Sequence, residues 1–208
     1  MNWIITGGCG FIGASLVKSL LKNGHNVRVI DNFSVGTLSD LGSAVSIDVS
    51  QVAEVPNWEV PLQVFHVDIR ISASTDNLFN GGDVCVHLAA NTGVPASVAD
   101  PHGDCLANVQ GTLNVLEACR HQNVRRLIFA SSSAPLGQQI PPLREDMAPR
   151  PESPYGASKL AGEGYCSAYN SCFGVETVVL RFGNVYGPGS ANKTSIVAKF
   201  IKLSLIHI

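Results

Sequence analysis

Tyr155 and Lys159 are the pair of side chains in this sequence best placed for acid/base chemistry. They stand four residues apart in a helical pattern at 155–173, so the phenol and the ammonium share one helix face. The pKa of a free phenol is near 10. This pKa must fall by about 3 units, which corresponds to roughly 4 kcal/mol, before the group can act as a base near neutrality. An ammonium about 4 Å away in a partly dry cleft could supply that effect. The pair predicts a proton-transfer site; the alternative is a half-buried tyrosine beside a surface lysine.

Three consecutive serines could assist this pair. The strand-like run 127–130 ends in Ser131, Ser132 and Ser133, shortly before the helix that carries Tyr155. Side chains at the carboxyl end of a parallel strand point into the ligand crevice of an open sheet. One of the hydroxyls is therefore expected to donate a hydrogen bond to a substrate oxygen.

A glycine-rich turn near the amino terminus predicts a dinucleotide site. Gly7, Gly10 and Gly13 have the spacing G-x-x-G-x-x-G between a strand and a helix. Such glycines permit a tight turn, close approach of a pyrophosphate and close packing of helix on strand. Asp31 ends the second strand, near the offset of about 20 residues expected for a carboxylate that bonds the adenosine ribose. Because Asp31 would repel a 2′-phosphate, we predict NAD over NADP; the alternative is a turn aspartate.

The elements that must position these residues alternate between strand and helix. This alternation predicts an α/β fold with a Rossmann-like, doubly wound parallel sheet and helices on both faces. The segments 34–61 and 135–154 are predicted to be loops, the second one directly before Tyr155. The predicted strands are 2–6, 26–31, 62–68, 83–88, 125–131 and 175–181, and the predicted helices are 11–23, 103–121 and 155–173.

Composition excludes several other classes of function. The 208 residues are 45% hydrophobic and 14% charged, enough to bury one sizeable core. The net charge of −2, without long runs of one sign, indicates no nucleic acid partner and no anionic membrane. Scattered cysteines and histidines predict no metal site. A strand begins directly after Met1 and no apolar run reaches about 20 residues, so we expect a cytoplasmic protein.

An ordered set of motifs resembles the extended short-chain dehydrogenases, and most closely their NAD-dependent nucleotide-sugar epimerases, such as the UDP-glucose 4-epimerases. The set covers nearly the whole chain in the order of that family. It consists of GGCGFIG at 7–13, Asp31, Asp68-Ile69, HLAA at 87–90, NVQGT at 108–112, the serines, Tyr155-x-x-x-Lys159 and RFGNVYGP at 181–188.

The resemblance implies a role for individual residues. It makes Ser132, Tyr155 and Lys159 catalytic, with Tyr155 as the base, and places Ser133 and Asn184 towards substrate beside Ser132. Lys159 would also hold the nicotinamide ribose, and Asn108 would lie beneath the site. The residues it assigns to NAD are Gly7, Gly10, Phe11, Ile12, Gly13, Asp31, Asn32, Asp68, Ile69, Leu88, Ala89, Ala90, Asn108, Tyr155, Lys159, Phe182 and Val185.

The implied reaction is epimerisation of a nucleotide sugar through a transient 4-keto sugar, by hydride transfer to and from bound NAD. Sugar dehydratases of this group carry Thr-Asp-Glu where this chain has Ser132-Ser133-Ala134, so dehydration is disfavoured. A nucleotide-sugar decarboxylase or reductase, or a non-catalytic NAD(H)-binding module, stays an alternative.

Two departures from the pattern concern the substrate side. Residues 134–137 read Ala-Pro-Leu-Gly where relatives commonly have Val-Tyr-Gly. The family also carries a C-terminal substrate lobe, so we expect an NAD-binding domain at 1–188 and only the start of a truncated lobe at 189–208. The helices at 103–121 and 155–173 are the candidates for a homodimer interface.

Overall fold

The structure, a computed structural model, is a twisted parallel sheet with helices on both faces. It describes residues 1–42, 45–47 by backbone, 55, 57–71 and 75–187. Seven parallel strands lie in the order β3-β4-β2-β1-β5-β6-β7. They are β1 Asn2–Thr6, β2 Asn26–Asp31, β3 Val45–Ile47, β4 Leu62–His66, β5 Val84–His87, β6 Arg126–Ser132 and β7 Glu176–Phe182.

The strand order reverses between β1 and β5, and this reversal locates the crevice. The chain leaves β1 towards β2 on one side, then returns to build β5, β6 and β7 on the other side. In an open parallel sheet, ligands bind where the order reverses, outside the carboxyl ends of the strands. The glycine turn follows β1 and residues 88–93 follow β5, so both lie at this reversal.

The described residues form five helices. They are α1 Phe11–Lys22, α2 Val94–Ala99, α3 Pro101–Cys105, α4 Gly111–His121 and α5 Pro154–Phe173, with a π-helical turn at Leu106–Gln110 between α3 and α4. Short 3₁₀ turns lie at Leu38–Leu41, Asp76–Phe79 and Ala134–Leu136. Within the described residues, no helix is long and apolar enough to cross a membrane.

The core consists of two apolar layers, one on each face of the sheet. Neighbouring residues of β1 point to opposite layers, Ile4 to the side of α4 and α5, and Ile5 to the side of α1. Both side chains are fully buried, which stabilises the fold by about 1.5–3 kcal/mol each. Near-continuous apolar strands of this kind are typical of parallel sheets covered on both sides, and the predicted fold class is confirmed.

Helix α5 packs unusually closely on β6. Its first turn is capped by the Ser153 hydroxyl, which accepts from the Gly156 amide at 3.1 Å, and it ends at Gly174 in the left-handed conformation. At Gly162 a β-carbon would lie 2.5 Å from the ring of Phe129 on β6. The helix therefore brings its first two turns against the carboxyl end of β6.

The six predicted strands and three predicted helices are present, with three differences. Strand β3 and helix α2 arise where no element was predicted, and the predicted helix at 103–121 is divided by the π-helical turn. The stretch 137–153 is irregular, as expected. Residues 188–208, which include the predicted start of a second lobe, lie outside the described residues, and pairing of copies through α4 and α5 stays a prediction.

Candidate active site

The glycine turn after β1 is built so closely that side chains are excluded. Gly7 has φ +69°, and a β-carbon there would lie 2.6 Å from the backbone nitrogen of Ala89. At Gly13 a β-carbon would lie 2.3 Å from the Gly7 carbonyl oxygen, so α1 packs directly on the turn. At Gly36, which sequence reasoning missed, a β-carbon would likewise collide with the backbone of Cys9. The turn forms a bare backbone cradle beside the end of β5.

Asp31 at the end of β2 is tied to this cradle by its carboxylate. One oxygen accepts from the Cys9 amide at 2.9 Å and the other accepts from the Phe33 amide at 2.8 Å. Burial raises the pKa of Asp31, while these two backbone hydrogen bonds act to lower it. Arg28 on the same strand donates to Gln63 and to the Leu78 carbonyl. Its guanidinium is thus committed elsewhere, consistent with a ribose site that disfavours a 2′-phosphate.

Three further residues that the resemblance assigns to NAD form a second group beside Asp31. Asn32 donates to the Asp68 carboxylate at 3.2 Å, which joins the loops after β2 and β4. Arg70 binds the same carboxylate at 2.6 Å, and its hydrogen bonds hold the pKa of Asp68 at about 2. Ile69 is buried, and its carbonyl accepts from Asn114 on α4. The structure therefore brings Asn32, Asp68 and Ile69 to the same edge of the sheet.

A hydrogen-bonded chain through His87 fixes the loop after β5. Thr112 donates to the Asn108 carbonyl at 2.6 Å, so its oxygen can only accept from Nε2–H of His87, 3.0 Å away. Burial lowers the pKa of His87 to about 3, so the ring is neutral and Nδ1 accepts from the Thr6 hydroxyl at 2.6 Å. The Thr6 oxygen in turn accepts from the Ala89 amide at 3.3 Å. This assignment of the imidazole protons follows from the hydrogen bonds.

The buried neutral histidine predicts a specific loss of stability in acid. The pKa is depressed in the folded chain, so the unfolded chain binds the proton first and stability falls as pH drops from about 6.5 towards about 3. In His87→Gln we expect the pH dependence of the unfolding free energy to be shallower, by up to about 1.4 kcal/mol per pH unit. Urea denaturation of both chains across this range measures the slopes, and parallel curves would disprove a neutral His87.

Asn108 connects the loop after β5 to three helical segments. Its Oδ1 accepts from the Asn91 amide at 2.8 Å and its Nδ2 donates to the Asn91 carbonyl at 2.9 Å. The same Nδ2 lies 2.9 Å from Asp104 Oδ1 on α3 and 3.2 Å from the Ser158 hydroxyl on α5. Asn108 stands in the π-helical turn and is buried. It lies at the junction of the loop and the Tyr155 helix, and its place beneath a bound ligand stays a prediction.

Ser132 and Tyr155 meet at the carboxyl end of β6. The Ser132 oxygen accepts from the Ala134 amide at 3.2 Å, and the Ser132 hydroxyl acts on the Tyr155 phenol to lower its pKa. Ser131 points to the other face of the strand and donates to Glu163 at 2.5 Å. Of these two serines, Ser132 is therefore the one available to the phenol.

Lys159 lies beneath this pair, one turn further along α5. Its ammonium donates to the Ala130 carbonyl at 2.9 Å and stands 4.9 Å above the ring of Phe129. Burial lowers the pKa of Lys159 to about 8. The expected lowering of the Tyr155 pKa by Lys159 is wrong for this structure: burial raises the pKa of the phenol, and the opposing effect comes from Ser132.

The end of β7 completes the carboxyl edge. The Phe182 carbonyl accepts from the Ser133 amide at 3.0 Å, so these two predicted site residues are adjacent through their backbones. Phe182 and Val185 are half-buried, whereas Asn184 is exposed. A role of Asn184 towards substrate stays a prediction. In the described part of the chain, no group of three His, Cys, Asp or Glu side chains is placed to hold a metal.

Comparison with known proteins assigns the chain to a family. A profile described as the NAD dependent epimerase/dehydratase family matches residues 3–208. The chain belongs to this family. The resemblance deduced from the motifs is thereby confirmed. The epimerase/dehydratase fold also accounts for the strand order and for the position of the glycine turn.

Individual members of the epimerase/dehydratase family resemble the chain at about one third identity. The putative UDP-glucose 4-epimerase of Methanocaldococcus jannaschii is 35% identical over 187 residues, 88% of this chain and 56% of that protein. The Thermus thermophilus UDP-glucose 4-epimerase, solved in complex with NAD, is 35% identical with a TM-score of 0.80, over 98% of this chain and 61% of that one. A UDP-N-acetylglucosamine 4-epimerase from Methanobrevibacter ruminantium is 33% identical with a TM-score of 0.86, over 99% and 63%.

The family includes more than one chemistry. Further matches are named UDP-N-acetyl-alpha-D-glucosaminuronate decarboxylase, from Bacillus cytotoxicus at 30% identity, and dTDP-glucose 4,6-dehydratase, from Streptomyces venezuelae at 28%. The chain spans somewhat over half the length of the curated relatives it matches. Family membership therefore gives the fold and the class of enzyme, and the reaction has to be argued from the site.

Proposed function

We propose that the protein is an NAD-dependent nucleotide-sugar epimerase that inverts one carbon of the sugar through a transient 4-keto sugar. The observation that carries this proposal is the juxtaposition of Ser132 and Tyr155 at the carboxyl end of β6, with Lys159 buried one turn further along α5. The bare cradle at Gly7 lies at the same edge of the sheet, at the reversal of strand order.

The residues at that edge fit an NAD molecule. Gly7 and Gly13 let the turn pack directly on the Ala89 backbone and on the start of α1, which leaves a bare backbone for a pyrophosphate to approach. Asp31 offers a carboxylate at the end of β2 for ribose hydroxyls. Asn32, Asp68 and Ile69 would border the adenine. When bound, NAD supplies the acceptor and donor of the hydride that the reaction requires.

Tyr155 and Ser132 would move the proton of the reacting sugar hydroxyl. The Tyr155 phenolate accepts this proton as the carbon is oxidised to a ketone, and the phenol returns it when the ketone is reduced on its other face. Ser132 donates to the phenolate or to the sugar oxygen, so negative charge is stabilised in both forms. The buried Lys159 ammonium lies below and adds positive charge to the site.

Two alternatives, a dehydratase and a non-catalytic NAD(H)-binding module, fit the residues of the site less well. A dehydratase would need an acid pair after β6, and Ser133 and Ala134 stand there instead. A non-catalytic NAD(H)-binding module would not need a serine beside a half-buried tyrosine, with a buried lysine one turn further along the same helix. Decarboxylation and net reduction can use the same three side chains, so they are separated by experiment.

The test is incubation of the NAD-loaded protein with a panel of UDP-sugars, beginning with UDP-glucose and UDP-N-acetylglucosamine. We expect proton NMR to show the epimer, with no net NADH in the absorbance spectrum. Loss of carbon dioxide from a UDP-uronic acid would favour the decarboxylase, and net consumption of NADH would favour the reductase. Firm NAD binding with no turnover of any sugar nucleotide would favour the binding module.

A further inference from the structure

Asp104 on α3 is a buried carboxylate that sequence reasoning did not single out. Only 3% of its surface is exposed. Its Oδ1 accepts from the Asn108 side chain at 2.9 Å, whereas Oδ2 is buried without a hydrogen-bond partner among the described residues. A buried carboxylate oxygen in this state is costly unless a positive charge lies nearby.

Lys159 carries the buried ammonium on which the Asp104 carboxylate acts. Lys159 is also 3% exposed, and burial favours its neutral form. Asp104 on α3 and Cys166 on α5 raise the pKa of Lys159. The charge of Lys159 in turn lowers the pKa of His87 on β5. Burial raises the pKa of Cys166 to about 12 and lowers that of His87 to about 3, so both are neutral near pH 7. Of these three groups, Asp104 is the one that can supply a charge there.

Asn108, which links the loop after β5 to α3 and α5, also fixes the position of Asp104. Asn108 donates to Asp104 and also approaches the Ser158 hydroxyl, directly before Lys159 in α5. Ser158 donates back to the Tyr155 carbonyl at 3.0 Å. Asp104 also lines a cleft of about 320 Å³ that Ala90 and Asn91 border.

We propose that Asp104 is a positioning residue whose carboxylate is the counter-charge that keeps the buried Lys159 protonated beneath Tyr155. The inference deepens the proposed function, on which the role of Lys159 rests. The negative charge of Asp104 has a second effect, which is to raise the pKa of Tyr155. Asp104 therefore stabilises the Lys159 ammonium and disfavours the Tyr155 phenolate. Asn108 is then the residue that holds the carboxylate in place, and Lys159 is the residue on which it acts.

The direct test is a carbon-13 NMR titration of the Lys159 ε-carbon in the 208-residue chain, with the signal assigned through Lys159→Met. We expect a midpoint near 8 in the unsubstituted chain and a midpoint lower by about one unit or more in Asp104→Asn. Asp104→Asn keeps an oxygen that can accept from Asn108. Asp100→Asn is the control, since Asp100 caps the same short helix but is exposed. Equal midpoints for Asp104→Asn and the unsubstituted chain would overturn the proposal.

A second measurement remains decisive if Asp104→Asn folds poorly. The fall in melting temperature caused by Asp104→Asn should be clearly smaller in a Lys159→Met background, because no ammonium is left to balance. Equal losses in both backgrounds would also overturn the pairing. Neither experiment needs NAD or a sugar nucleotide, so the charge pair and the proposed function can fail separately. If Asp104→Asn lowers the Lys159 midpoint but the unsubstituted chain does not bind NAD, the charge pair stands and the proposed function is refuted.

Discussion

Replacing Tyr155 with phenylalanine is expected to slow turnover of the sugar nucleotide by about 10²–10⁴-fold while NAD affinity stays within a few-fold of the original. The substitution removes only the phenol oxygen, which is the group that the account assigns to proton transfer. Ser132 cannot replace it, because its oxygen already accepts from the Ala134 amide and no base adjoins it among its described contacts. The aromatic ring, which forms the wall of the site, is retained.

Single-turnover spectroscopy of NADH formation on the bound cofactor measures the first half of this reaction, and calorimetry measures the affinity for NAD. Tyr165→Phe is the matched control, because Tyr165 lies on the same helix with 38% of its surface exposed. We expect that control to turn over normally. Turnover within threefold of the original in Tyr155→Phe would remove Tyr155 from the mechanism.

Replacing Gly7 with alanine is expected to destabilise the folded chain by about 2–5 kcal/mol and to abolish measurable NAD binding. Part of the loss, about 1–2 kcal/mol, comes from placing an L-residue at φ +69°. A further 1–3 kcal/mol, roughly, comes from the contact of the new methyl group with the Ala89 backbone, which cannot rotate away as a side chain could. The shift of backbone needed to relieve this contact would displace the turn that is expected to receive the pyrophosphate.

Gly24→Ala separates the two contributions. Gly24 has φ +74°, close to the value at Gly7, but a β-carbon there would have no neighbour within 4 Å. Urea denaturation should therefore show a loss of about 1–2 kcal/mol for Gly24→Ala and a clearly larger loss for Gly7→Ala. Equal losses would mean that the turn does not press against the end of β5 as described.

The features that the sequence predicted best depend on residues only a few positions apart. Gly7, Gly10 and Gly13 specify the turn through residues a few positions apart, and Tyr155 and Lys159 share a helix face for the same reason. The long apolar strands specified a buried parallel sheet without knowledge of their partners. These patterns needed no information about which distant segments meet.

The parts that sequence missed depend on distant segments. Nothing near His87 in the sequence indicates that Thr6 and Thr112 approach its ring from β1 and α4. Asp104 gave no signal because its neighbours Asn108 and Lys159 reach it through the π-helical turn and α5. A search for carboxylates on a short helix directly before an NVQGT-type motif is the one sequence signal that could have found it.

The pKa of Tyr155 shows why spacing alone misled. An (i, i+4) pair predicts an ammonium near the phenol, but the direction of the shift depends on how dry the site is and on where the ammonium points. In the fold, Lys159 turns to the Ala130 carbonyl and the ring of Phe129, and burial dominates at the phenol. Both facts depend on how α5 packs on β6, which the spacing does not contain.

Calorimetry with NAD and NADP, on the unsubstituted chain and on Asp31→Ser, measures whether this chain binds NAD through the glycine turn and Asp31. We predict that the unsubstituted chain binds NAD at least about tenfold more tightly than NADP, because Asp31 would lie close to a 2′-phosphate. We predict that Asp31→Ser narrows this ratio. Equal affinities in the unsubstituted chain, a ratio unchanged by Asp31→Ser, or binding of neither dinucleotide would contradict the account.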